Sequence, residues 1–237
     1  MSLIWVMGYI YTALGFSIGG VIAWALRGVQ RKIDTIYSIC AGLILGLLSF
    51  EVAPEAINLG NWLTFIVGFV IGVILFKITH KALKNLFGTF KGKDNFSLQT
   101  GILLFLSISF HNLPIGIVIG SNQESSLEMT LLQTILLHNI PEGIIVFTPL
   151  FIAGLGVWTW LFLSLIVAIP VGFGAYIGNS MGIGDPMFWS FSISLAVGTI
   201  YMITIQEIIM ESIKDFSKVL TIALISFGCM GCFLFLT

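Results

Sequence analysis

The sequence predicts an all-α polytopic membrane protein with eight transmembrane helices in a 3+2+3 order, and three observations lead there. Residues of the AVILMFWYC set make up 57% of the 237 positions and Asp, Glu, Lys and Arg only 9%, against roughly 25% charged in soluble domains. The apolar runs are close to 20 residues long and apolar on every side, the length a helix needs to cross a bilayer; a barrel would show segments of about 10 residues with strict alternation. The mean hydropathy of +1.07 agrees. A formal charge of -1 without a basic tract leaves nothing to hold a nucleic acid.

The elements follow in order. The first run, 4 to 26, has no basic segment before it and no small-residue cleavage site after it, so it reads as a helix and not as a signal peptide. The second, 35 to 54, ends in Glu51, Pro54 and Glu55, and the third covers 61 to 79. The connection from 80 to 98 is basic, with Gly88, Gly92 and His80, and reads as an electrostatic anchor on anionic headgroups. The fourth and fifth helices, 99 to 120 and 130 to 153, carry near-identical polar motifs. A connection as short as 154 to 156 makes the fifth and sixth (157 to 178) an antiparallel hairpin. The seventh (187 to 211) and eighth (217 to 236) close a single transmembrane domain over 1–237.

Charge sets the orientation. Arg27, Arg31 and Lys32 lie between helices one and two, Lys77, Lys81, Lys84, Lys91 and Lys93 between three and four, and Lys214 and Lys218 between seven and eight. By the positive-inside rule that face is cytoplasmic. The opposite connections hold Glu124, Glu128 and Asp185 and no base, which puts both termini outside. A wrong helix count would have scattered the lysines over both faces.

Cys40 lies alone in an apolar run, and Cys229 and Cys232, though spaced C-x-x-C, lack the further soft ligands of a zinc site. Gly15, Gly19 and Gly20 permit close helix packing, and a homodimer formed through them stays open.

The chemistry is concentrated in a few polar residues. An ionisable side chain inside a span costs on the order of 2.5–3.5 kcal/mol and normally faces a cavity or a partner. Helix four reads His111-Asn112-Leu113-Pro114-Ile115-Gly116 and helix five His138-Asn139-Ile140-Pro141-Glu142-Gly143. Each proline lacks the N–H that would meet the carbonyl four residues earlier, at Phe110 and Leu137. His138 and Glu142, four apart, share one helix face. An imidazole nitrogen and a carboxylate oxygen suit zinc or another first-row ion, with His111 as a third ligand. Asn112 and Asn139 can offer amide oxygens, orient the histidines, or hydrogen-bond between helices.

Glu51 and Glu55 in helix two, and Glu207 and Glu211 in helix seven, repeat the four-residue spacing and trace routes from the interior to the membrane edge. These helices run in opposite directions, which suggests inverted three-helix repeats around the central pair, as in many secondary transporters.

With these motifs the chain resembles the ZIP (Zrt/Irt-like) divalent metal transporters, in particular their bacterial GufA-like branch. The resemblance covers the whole chain: eight helices, the cytoplasmic loop after helix three, the helix-two ending Ser49-Phe50-Glu51-Val52-Ala53-Pro54-Glu55-Ala56-Ile57, the His-Asn-Ile-Pro-Glu-Gly motif, and Gly198-Thr199-Ile200-Tyr201-Met202 leading to Glu207, Glu211 and Ser212. It implies uptake of a divalent cation, zinc foremost and cadmium, iron or manganese next, across the plasma membrane, with the ion as substrate and no cofactor. It also implies that His111, His138 and Glu142 are the transport-site ligands, that Asn112 and Asn139 occupy an adjacent site, and that Glu207 lies on the metal's route.

Two departures stand out. Ile115 replaces a glutamate that commonly bridges two ions in the family, and Ile169, before Pro170, replaces another. A single metal per site is therefore expected, with water or an asparagine oxygen completing its shell. Two imidazoles and one carboxylate favour zinc-like ions over harder manganese, and binding weakens as the histidines protonate. An intramembrane hydrolase is a poor competitor, because the chain contains neither H-E-x-x-H nor Gly-x-Ser-x-Gly. A non-transporting metal sensor or a bis-imidazole haem bundle forms the other alternative; the prolines and carboxylate beside the histidines argue against haem.

Overall fold

The computed structural model describes residues 3–26, 33–87, 96–121, 125–181, 185–209 and 216–236, and among these every regular element is helical. Eight of its spans are long and apolar enough to cross a membrane. They are α1 (Ile4–Leu26), α2 (Ile33–Leu47, a π turn at Leu48–Val52, then Ala53–Leu59), α3 (Trp62–Phe87), α4 (Phe96–Ser121), α5 (Ser125–Ile152), α6 (Val157–Met181), α7 (Pro186–Ile203, continued by a π turn at Thr204–Ile209) and α8 (Phe216–Leu236).

Two helices depart from the sequence reading for physical reasons. α2 does not stop at Pro54: the proline sits in the first turn of the segment Ala53–Leu59, where its missing N–H is tolerated. α3 runs on to Phe87 through Lys77, Lys81 and Lys84, because lysine is a good helix former whose stem lies along apolar surface while its ammonium reaches water. His80 is thus a helix residue, buried and stacked on Phe76 with ring centroids 5.4 Å apart, and not part of a loop. Between α5 and α6 the chain reverses at Gly154, whose φ of 91° needs a glycine. Asp185 caps α7 by accepting from Met187 N–H at 3.0 Å.

In space, α4 and α5 pack on each other, α6 lies along α4, α1 lies along α5, and α1 and α6 also touch. A second group joins α3 to α7, α8 to α2, and α2 to α7; the two groups meet where α2 contacts α5 and α7 contacts α4. Exchanging α1 with α6, α2 with α7, α3 with α8 and α4 with α5 leaves this pattern unchanged. It is the signature of the inverted repeat, although each three-helix repeat divides between the two groups instead of forming a bundle of its own.

The symmetry holds at the level of atoms. A β-carbon on Gly19 would run into Ile140 O, Gly143 Cα and Ile144 N; one on Gly174 would run into Leu113 O, Gly116 Cα and Ile117 N. These are equivalent positions of the two motifs. Likewise Gly42 lies against the Ala223 carbonyl of α8, and Gly198 against the Phe69 carbonyl of α3. Gly15 and Gly19 contact α5 and Gly20 contacts the Trp160 ring, so the small-residue face of α1 is filled from within the chain and gives no support to a homodimer.

Where glycine meets backbone, an added methyl has no side chain to push aside. Gly174→Ala is expected to lower detergent-solubilised stability by about 1–3 kcal/mol. Gly228, with nothing near its missing β-carbon, is the control: Gly228→Ala should be neutral or gain up to about 1 kcal/mol of helix propensity. Thermal unfolding of both variants checks the contrast.

Candidate metal centre

The repeated motifs of α4 and α5 bring His111, His138 and Glu142 together at the contact between the two groups. One ligand atom from each lies within 4.8 Å of the others. Their residues are 1%, 7% and 2% exposed. His111 Nε2 is 3.5 Å from Glu142 Oε1, at the outer limit of hydrogen bonding and close to the roughly 3.3 Å that separates neighbouring ligands around tetrahedral zinc.

Hydrogen bonding determines which lone pairs are free. His138 Nδ1–H donates to the carbonyl of Thr134, one turn earlier, at 2.8 Å, which fixes the tautomer and leaves Nε2 with its lone pair. That Nε2, both nitrogens of His111 and both oxygens of Glu142 are buried with no hydrogen-bond partner among the described residues. An unmet buried polar atom costs about 1–3 kcal/mol, more when charged, and one such atom from each of the three residues, all within 4.8 Å of one another, is what a cation would satisfy.

The asparagines are turned toward the flanking helices. Asn112 Nδ2 donates to Val167 O of α6 at 3.1 Å, and its Oδ1 has no hydrogen-bond partner among the described residues. Asn139 is fully buried, its β-carbon against Gly15 of α1 and both amide atoms without a hydrogen-bond partner among the described residues.

Glu51 lies in the π turn of α2. Here Ala53 N–H reaches back five residues to Leu48 O, and Pro54 leaves Phe50 O without its usual donor. Such widened turns recur at functional sites. Glu51 Oε1 accepts from Thr134 Oγ1 at 2.8 Å while its Oε2 has no hydrogen-bond partner among the described residues. Glu51 and Glu55 border a cavity of about 180 Å³ that also touches Thr134, His138 and Ile115. Its walls, Val118 and Ile119 of α4 and Ile193 to Ile200 of α7, place it between the metal centre and the ends of the helices that carry no lysine. Glu207 falls in the π turn of α7, and Glu211 lies outside the described residues.

Ile115 stands in the cavity at the position that Glu142 occupies in the other motif. Ile169 is 53% exposed on α6, so its substitution does not reach the centre. Sequence reasoning missed Thr134 and its counterpart Ser107. The signal was present, since a hydroxyl residue stands four positions before the histidine in both motifs, but such residues commonly just bond back along their own helix.

A family model described as ZIP zinc transporter matches residues 91–236, the stretch that carries α4 to α8 and all three clustered residues. Together with the eight spans this establishes the chain as a multi-pass membrane protein and a divalent metal transporter: it belongs to the ZIP family.

Proposed function

We propose that this transporter carries zinc-like ions into the cytoplasm of its cell, across the plasma membrane, through a mononuclear site made by His111, His138 and Glu142. The convergence of their free lone pairs carries the reading. Water or an oxygen of Asn112 or Asn139 completes the shell. Glu51 and Glu55 lead an ion from the lysine-free side, taken as the outside by the charge of the connections, and Glu207 and Glu211 lead it on. Both termini then face outward.

The ligand set matches a carrier's task. Two neutral imidazoles and one carboxylate replace enough water to bind a borderline-soft ion, without the charge that would hold it permanently. Ile115 keeps a second carboxylate out of the cavity, so the charge to support a neighbouring ion is missing.

Saturable zinc uptake into proteoliposomes should be lost in His138→Ala, and zinc should compete better than manganese; preference for manganese would refute the selectivity, and binding without flux for any metal would point to a sensor. Calorimetric titration should give one zinc per chain in the wild type and a second in Ile115→Glu. Two ions in the wild type would exclude a mononuclear site. Glu142→Gln should abolish the stabilisation that zinc confers. Thermal unfolding with and without zinc measures the effect.

A further inference from the structure

The inverted repeat gives most residues on one side of the metal centre a counterpart on the other, and one pair of counterparts is in different states. On α5, Thr134 receives His138 Nδ1–H at its carbonyl and donates its hydroxyl to Glu51 in the α2 π turn. On α4, Ser107 holds the equivalent place before His111. It is 3% exposed, and its hydroxyl has no partner among the described residues. The helix that faces α4 as α2 faces α5 is α7. Gly42 and Gly198 each meet a neighbouring carbonyl in the same way, and carrying their equivalence along the helices brings position 51 onto position 207, within the second π turn.

The cavity is one-sided in the same sense. It touches Thr134, Ile135, Ala196, Val197 and Ile200, and the counterparts of the last four, Ile108, Cys40, Ala41 and Ile44, do not border it. On that side Tyr37 Oη donates to Ile145 O at 3.5 Å.

We infer that Thr134 and Ser107 are reciprocal positioning residues, in which Thr134 holds Glu51 while the cavity lies on its side and Ser107 takes Glu207 when the cavity lies on the other. The inference rests on the transport-site reading of His111, His138 and Glu142. Two halves related by inverted topology can exchange conformations about a central site. A hydroxyl-to-carboxylate bond is among the stronger hydrogen bonds, and a buried hydroxyl without one is destabilising. One latch made and the other idle therefore biases the exchange toward the state seen here, and the idle hydroxyl stabilises the opposite state once Thr134 releases Glu51.

Cys40, 2% exposed and the counterpart of Ala196, is a built-in reporter of the closed side. With Cys229 and Cys232, both exposed, changed to serine, its rate of modification by a small charged methanethiosulfonate can be followed in metal-free proteoliposomes permeable to the reagent. Thr134→Val, which removes the hydroxyl and keeps the shape, should raise that rate at least about fivefold. Thr134→Ser should restore it toward the wild-type value, and Ser107→Ala should lower it. A rate unmoved by Thr134→Val, or moved in the same direction by Thr134→Val and Ser107→Ala, would overturn reciprocity. Zinc titration of His138→Ala tests the site separately: full binding there would refute the ligand assignment, whereas lost binding with unmoved Cys40 rates would refute the latch alone.

Discussion

The rest of the structure depends on direct backbone contact between helices at glycine. Inside a bilayer there is no hydrophobic gain from bringing two apolar helices together, so association must come from close packing and polar contacts. Gly19 and Gly143 join α1 to α5, and Gly116 and Gly174 join α4 to α6. Those four glycines sit within the two His-Asn-x-Pro-x-Gly motifs or against them, so the same short sequences that supply the clustered residues also fix the helices carrying them. Rigid placement matters because a metal shell tolerates only small errors in ligand position.

The polar atoms of the centre strain against this packing. His138 Nε2, the His111 nitrogens and the Glu142 oxygens are buried without a hydrogen-bond partner among the described residues, and the nearest relief is the contact between His111 and Glu142 at 3.5 Å. A structure optimised for stability alone would fill this space with aliphatic side chains, as replacing buried ionic groups by packed hydrophobic ones is often neutral or better. The retained groups make sense when an ion supplies the missing interaction.

Much of this was legible in the sequence because the membrane simplifies the code. A run of about 20 apolar residues has few alternatives to a spanning helix, and His138 with Glu142 one turn apart needs only helical periodicity to be placed on one face. The pairing of the two motifs located His111 opposite. What was not legible depends on departures from that periodicity or on the partner chosen. The π turns at Leu48–Val52 and Thr204–Ile209 shift the register of Glu51 and Glu207 without an unambiguous mark in composition. Gly15, Gly19 and Gly20 announced a close contact but not whether the neighbour belonged to the same chain. Lys77, Lys81 and Lys84 ended the apolar run of α3 without ending its helix.

The centre breaks the symmetry of the scaffold that holds it. The operation that superposes His111 on His138 and Asn112 on Asn139 sets Ile115 against Glu142, so the carboxylate comes from one repeat motif only. Glu142 follows His138 on α5, on the side away from the cavity, while Ile115 lines the cavity itself. The cavity next to the histidines is therefore walled by aliphatic side chains, and the one carboxyl group of the cluster lies beyond them, away from Glu51 and Glu55. A fully symmetric pair of motifs would put a carboxyl group on both sides of the histidines, so isoleucine at position 115 is what makes the two faces of the centre chemically different.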